Sequence, residues 1–286
     1  MIYGALETGG TKCRAAVFKN DNIIDELIIP TKTPAETFLK IVDFFRSNNV
    51  TILGIGSFGP IALNQKETDY GQIKHTTKIA WKGFNVYKYF IDSGFKQVYI
   101  DTDVGAAALG EYYAHQGKVW NLLYITIGTG VGVGVIRNKR IFRGLFHPEM
   151  GHMIVNRHQE DNCPSVCVFH DNCLEGLGSG KSLEKRYNLS HKELSNKEEV
   201  WDLEGYYIAQ ALYSYTLAFA PEKIIIGGGV SKQRLLLPAI KKHFIAINNN
   251  YYQYPALFDL SSYITLPKAG EDSGILGAYL LAKGEG

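Results

Sequence analysis

The chain has little excess charge of either sign. A formal net charge of +2 over 286 residues gives no reason to expect nucleic acid or an anionic membrane as a partner. Cysteine is sparse, with four in all, and three of these are bunched, which does not resemble a secreted disulfide framework. The fourth, Cys13, sits alone in a predicted strand and is expected to pack as a small apolar residue. Long apolar runs are missing too. The least polar stretch, Val119 to Ile136, alternates and contains four glycines, so it is not a membrane span. Met1 leads straight into a predicted strand, leaving no room for a signal peptide. The expectation is a soluble, cytoplasmic protein of one large or two ordinary domains.

What is present concentrates between Glu149 and Glu175. The stretch reads E-M-G-H, an insert, then C-x-x-H-x-x-C-L-E. His152, Cys163, Cys167, His170 and Cys173 mix thiolate and imidazole at a spacing that suits a tetrahedral zinc site. His158, in a polar run that looks like a solvated loop, is a rival ligand, as is Cys163. A carboxylate stands at each end of the stretch, which suggests a metal clamp that holds side chains for another purpose.

Two segments look alike. Ile2–Ile24 and Leu122–Phe142 each predict a buried strand, a Gly/Thr turn, a second strand, an Asn-containing turn and a third strand. With Gly10 over Gly128, Thr11 falls on Thr129, Val17 on Val135 and Asn20 on Asn138. Further on, the pattern predicts helices over 34–46, 103–114, 198–219, 233–246 and 272–282, and strands over 51–57, 97–101 and 223–226. The result is an α/β protein of two similar domains with a boundary near residues 112–120.

Glycine loops follow the strands. Gly9-Gly10-Thr11-Lys12 can form an anion-binding nest with a hydroxyl and a cation added. A plain hairpin turn and a snorkelling lysine are the blander alternatives. Gly128-Thr129-Gly130 repeats the chemistry, and Gly227-Gly228-Gly229 lies between a strand and a helix. None matches the eight-residue P-loop or a dinucleotide fingerprint. Three such loops favour a nucleotide. Asp101-Thr102-Asp103 stands where a strand gives way to a helix, the usual place for a catalytic carboxylate in an α/β sheet. Asp103 is the candidate base and Asp101 the fallback, with helix capping as the alternative for Asp103. Glu7 lies among apolar neighbours, where a buried carboxylate needs a partner, and Mg²⁺ accompanying the nucleotide would serve.

In order along the chain, G-A-L-E-T-G-G-T-K, D-T-D-V-G-A-A-A-L-G-E, I-G-T-G-V-G-V-G, E-M-G-H and C-x-x-H-x-x-C-L-E resemble the ROK family of sugar kinases and repressors. The branch most resembled is that of the zinc-containing bacterial ROK fructokinases, by Glu7, by S-F-G-P at 57–60 and by His170. The resemblance implies two actin-like, ribonuclease H-like ATPase domains flanking a cleft, over residues 1–115 and 116–286. It places the last helix back on the first lobe. It implies Asp103 as catalytic base, and Gly59, Pro60, Thr102, Asp103, Glu149, His152 and Glu175 on the sugar. It implies Gly9, Gly10, Thr11, Lys12, Thr126, Gly128, Thr129, Gly130 and Gly227, Gly228, Gly229 on ATP. It implies zinc on His152, Cys167, His170 and Cys173, with Cys163 outside, and magnesium near Glu7. The expected reaction is ATP-dependent phosphorylation of D-fructose to fructose 6-phosphate by a homodimer. The alternatives are a kinase for mannose, glucose or an amino sugar, and a non-catalytic or regulatory sugar-binding member. A repressor would carry a helix-turn-helix before the first glycine loop, and Glu7 already opens that loop here. Gly105 stands where the fructokinases usually have Asn, and Thr77, Ile79 and Ala80 also depart from the branch.

Overall fold

The computed structural model describes residues 1–286 apart from 77 and 190 and the side chains of 191 and 192; Thr77 therefore lies outside the described residues. The chain divides into two compact units. The first comprises Met1–Lys118, Gly134–Pro148 and Lys268–Gly286, and the second Val119–Val133 and Glu149–Pro267.

The first unit opens with β1 (Ile2–Thr8), β2 (Lys12–Lys19) and β3 (Asn22–Pro30), then α1 (Pro34–Ser47), β4 (Ile52–Ser57), α2 (Val86–Asp92), β5 (Gln97–Thr102) and α3 (Asp103–Ala114). Its sheet runs β3-β2-β1-β4-β5. β1 is antiparallel to β2 and parallel to β4, and β4 is parallel to β5. In register, Thr8 meets Ser57 and Ser57 meets Thr102, so three strands end level at one edge. The segments that follow them are the first glycine loop, S-F-G-P and the helix that starts at Asp103. In an α/β sheet that carboxyl edge is where ligands bind.

Helix α1 shows why the local sequence suffices there. Thr33 and Glu36 form a capping box, Pro34 fills the first turn, and Phe38, Ile41, Val42 and Phe45 are buried at helical spacing. Leu39, one position off that stripe, is 59% exposed.

The last helix, α11 (Ser273–Ala282), packs in the first unit against β1, β4 and α3. The approach is backbone to backbone. A Cβ placed on Gly277 would lie 1.6 Å from Ala106 O, so no larger residue fits there.

The second sheet runs β10-β9-β6-β7-β8, built from β6 (Leu122–Ile127), β7 (Val131–Arg137), β8 (Arg140–Ile141), β9 (Lys223–Gly227) and β10 (Ile264–Thr265). The helices of the second unit are α4 (Leu174–Leu177), α5 (Gly180–Tyr187), α6 (His191–Leu194), α7 (Glu198–Phe219), α8 (Leu236–Asn248), α9 (Pro255–Phe258) and α10 (Leu260–Tyr263). Helix α8 begins three residues later than its sequence pattern predicts. A 3₁₀ turn at Val230–Lys232 occupies the space before it, and no side chain caps its start.

The sequence repeat has a backbone counterpart. Asn20 and Asp21 have φ of 52° and 62°, and Asn138 and Lys139 have 51° and 68°. Two consecutive positive φ values make both turns type I′, the geometry that matches strand twist in a tight hairpin. Among the described residues, no helix is long and apolar enough to cross a membrane.

Candidate active site and metal centre

At the end of β1 the chain turns so tightly that Gly9 N–H donates to Lys12 O at 2.9 Å. Gly10, Thr11 and Lys12 are exposed on this turn. Cys13 is buried, its sulfur 3.4 Å from the Thr31 hydroxyl, and burial pushes its thiol up, as befits a packing residue. Glu7 pairs with Arg14 across the β1–β2 ladder. Burial pushes the Glu7 carboxyl up, against the pull of Arg14 and Lys12. Its carboxyl group also presses on the first turn of α11, 2.5 Å from where a Cβ on Gly274 would sit. Lys78, which no sequence motif singled out, places its Cε 3.7 Å from the Cβ position of Gly10.

At the end of β5 the three residues of D-T-D separate by role. Thr102 is the N-cap of α3, its hydroxyl accepting from Gly105 N–H at 2.9 Å. Asp103 is the first helical residue rather than the cap; it is half-buried and accepts from Val104 N–H at 2.8 Å. Asp101 is buried. Its Oδ1 accepts from Thr102 N–H at 2.7 Å, and its Oδ2 takes Arg143 Nε at 2.7 Å and Arg143 Nη2. Arg143 therefore holds Asp101 through two charge-assisted donors that converge on one oxygen. After β4, Gly59 and Pro60 are half-buried, and the Cβ position of Gly59 lies 3.6 Å from His147 Nε2. Sequence reasoning missed Arg143 and His147. His147, directly before P-E-M-G-H, was the more findable; a lone arginine in a loop carries no signal.

The second unit holds the other loops. Gly128 N–H donates to Gly130 O at 2.9 Å, a turn one residue tighter than the one that Gly9 closes on Lys12 O. Thr129 is exposed and Thr126 half-buried. Gly130 is small for a reason: a Cβ there would lie 2.5 Å from Glu175 Oε2. That oxygen accepts from Val131 N–H at 2.9 Å. Gly227 and Gly228 pack tightly on Tyr124 and Ile127, while Gly229 faces open space.

The stretch from Glu149 to Glu175 folds back on itself. Leu174 N–H donates to Met153 O at 2.9 Å and Val155 N–H to Asn172 O at 2.9 Å, which sets His152 beside Cys173. Ligand atoms of His152, Cys167, His170 and Cys173 all lie within 4.8 Å of one another. Cys167 Sγ is 3.7 Å from His152 Nδ1 and 3.6 Å from His170 Nδ1, and Cys173 Sγ is 3.6 Å from His152 Nδ1. Ordinary Zn–S and Zn–N bonds at a tetrahedral angle put a sulfur and a nitrogen about 3.6 Å apart. Burial pushes the Cys173 thiol up to about 12, and Cys167 adds to this, so a thiolate there needs a cation. The four residues thus fit a zinc ion.

Cys163 is outside this group, its sulfur directed to Pro164 O. His158 is also outside it, packed edge-on against Tyr206. His152 Nε2 points away from the four-ligand group and lies 3.9 Å from Glu175 Oε1. Glu149 is exposed just before the 3₁₀ turn Met150–His152.

Comparison with known proteins finds relatives over nearly the whole chain. The fructokinase of Pediococcus pentosaceus is 43% identical over 99% of this chain and 98% of its own. That of Lactococcus lactis subsp. cremoris is 41% identical over 99% and 97%. The crystal structure of the ROK hexokinase from Thermus thermophilus superposes with a TM-score of 0.80 at 24% identity, covering 100% of this chain and 99% of that one. Residues 3–285 match the ROK family profile, and the chain belongs to the ROK family.

Proposed function

We propose that this protein is an ATP-dependent fructokinase. The fructose 6-hydroxyl gives its proton to Asp103 as its oxygen bonds to the γ-phosphorus of ATP, and the bond to the bridging oxygen of ADP breaks. The observation that carries this assignment is the division of labour in D-T-D. Asp101 is held by Arg143 and Thr102 caps the helix, while Asp103, the half-buried first residue of α3, stands directly after the strand end at the carboxyl edge of the sheet. The fructokinases among the relatives support the choice of sugar.

Other roles follow from position. Glu149, His152 and Glu175 would bind sugar hydroxyls, with Gly59, Pro60 and Thr102. The glycine loops at 9–12, 128–130 and 227–229, with Thr126, would hold ATP, and Lys12 would face its phosphates. Glu7 is suited to hold Mg²⁺ through water, because a cation would offset the burial that raises its carboxyl. Zinc on His152, Cys167, His170 and Cys173 would be structural, since protein fills all four positions. Its ligation would fix the His152 tautomer, with Nδ1 on the metal and Nε2 left for the sugar. The chain is read as two actin-like lobes, 1–115 and 116–286 in sequence, with the last helix packed back on the first, in a cytoplasmic homodimer.

The test is a coupled ADP-release assay with fructose, mannose, glucose and amino sugars. Fructose should give the highest kcat/KM. ATP left unconsumed with every sugar would leave a sugar-binding role in its place.

A further inference from the structure

The zinc cluster closes only the middle of its loop. A polar network that touches none of the four ligands joins the loop's two feet. Asp161, where the loop begins, and Leu177, where the short helix carrying Glu175 ends, are sixteen positions apart and bracket Cys167, His170, Cys173 and Glu175. Both are held by one guanidinium. Arg186, on α5 with its side chain 8% exposed, donates from Nε to Asp161 Oδ1 at 3.2 Å and from Nη2 to Asp161 Oδ2 at 2.9 Å. Nη2 also donates to Leu177 O at 2.9 Å.

The surroundings lock this arrangement. Tyr207 OH donates to Asp161 Oδ2 at 2.6 Å, and the Tyr207 ring lies under the guanidinium, 5.8 Å from Cζ to centroid. Asp161 Oδ1 accepts from Cys163 N–H at 3.0 Å, which carries the fixed point into the loop backbone. Arg157 extends the brace, donating to Cys163 O at 2.6 Å and Asp171 O at 2.7 Å. Burial alone would raise the Asp161 carboxyl, but Arg186 and Tyr207 hold it below its ordinary value, so the pair is charged.

We propose that Arg186 is a positioning residue for the sugar site: it ties the loop's first foot to the helix of Glu175 and orients that carboxylate independently of the metal. The proposal rests on the assignment of Glu175 as a sugar ligand. A guanidinium suits the task because its planar fork spans a carboxylate and a carbonyl at once, which a lysine ammonium on one stem cannot do.

The experiment uses the zinc-loaded full chain. Arg186→Met, Arg186→Lys, Tyr207→Phe and Glu175→Gln are compared for fructose KM, ATP KM, zinc content by mass spectrometry and deuterium uptake over 161–177. Arg186→Met should raise fructose KM by roughly tenfold or more, since misplacing a positioned group by about an ångström can cost up to about a hundredfold. It should speed exchange over 161–177 while ATP KM and one zinc per chain are retained. Arg186→Lys should restore the melting temperature but leave fructose KM raised; a residue needed only for folding would recover both. Should Arg186→Met not fold, Arg186→Lys carries the same test. Tyr207→Phe, which keeps the guanidinium bridge, should change fructose KM less than Arg186→Lys does. Unchanged KM and unchanged exchange in both Arg186 variants would overturn the proposal, and so would loss of zinc in step with the loss of affinity. If Glu175→Gln leaves fructose KM unchanged, the sugar-ligand assignment fails instead, and faster exchange in Arg186→Met would still report the brace.

Discussion

Gly105 is shaped by Asp101: a Cβ on Gly105 would lie 2.3 Å from Asp101 Oδ1. It would also lie 2.8 Å from the Thr102 hydroxyl that caps the helix. Asp101 cannot retreat, because Arg143 holds its other oxygen. The absence of a side chain at 105 and the Asp101–Arg143 pair therefore belong together.

Gly105→Ala should displace the Asp101 carboxylate and disturb the cap one residue before Asp103. Overpacking a filled site costs about 1–3 kcal/mol, so the melting temperature should fall despite the better helix propensity of alanine. Thermal melts with steady-state kinetics test this. A more stable, fully active Gly105→Ala would show that the strand end yields at no cost.

Asp103→Asn should lose roughly two to four orders of magnitude in kcat, the range for a positioned base. The amide oxygen can still accept from Val104 N–H, so fold and fructose binding by calorimetry should persist. Asp101→Asn should behave differently, losing stability along with activity, because it weakens the buried pair with Arg143. If Asp101→Asn alone abolishes turnover in a stable protein, the base has been misassigned.

Metal analysis should find one zinc per chain in the wild type and in Cys163→Ser, and little in Cys173→Ser. Chelation should raise fructose KM before ATP KM, because His152 is itself one of the four ligands, whereas the glycine turn is closed by its own bond from Gly128 N–H to Gly130 O. Full zinc occupancy in Cys173→Ser would mean that the ligands are other than His152, Cys167, His170 and Cys173.

Glu204 offers a test by pH. It is fully buried on α7, and its carboxyl is pushed up from 4.5 to about 8 by burial, with Arg186 4.0 Å away pulling the other way. Neither carboxyl oxygen has a hydrogen-bond partner among the described residues. The folded chain thus holds a proton that the unfolded chain has released. This contribution to stability is fully present below about 4.5 and is lost as pH rises through about 8. Glu204→Gln keeps the shape without the ionisation. Its unfolding free energy, from denaturant melts, should gain on the wild type as pH climbs from about 5 to 8, by up to about 1.4 kcal/mol per unit. A gap that does not change with pH would mean that Glu204 is ionised in the fold.

Much of the candidate site was legible along the chain because its parts are local. Cys167, His170 and Cys173 are spaced by three, Thr102 and Asp103 are adjacent, and each glycine loop is contiguous. That both turns are hairpins could be read from Asn20, Asp21 and Asn138, residue types that tolerate positive φ, whereas Lys139 at φ 68° carried no such signal. What lay out of reach depends on partners distant in sequence. Arg143 is forty-two positions from Asp101, and Arg186 twenty-five from Asp161. Neither carries a motif.

By itself, the sequence determined which groups are available: the carboxylates, the glycine turns, the cysteines and histidines of the 149–175 stretch and the α/β alternation that brings strand ends to one edge. Tertiary structure decided what each group is free to do. Asp101 and Asp103 are the same residue type two positions apart, and only packing buries one against Arg143 and sets the other, half-buried, on the first turn of α3. Cys163 and Cys167 are equally thiols, and only the fold of the loop puts one beside His152 and His170. The physical reason is that covalent neighbours set backbone preference, whereas burial and charge pairing depend on groups that meet only after the chain has folded.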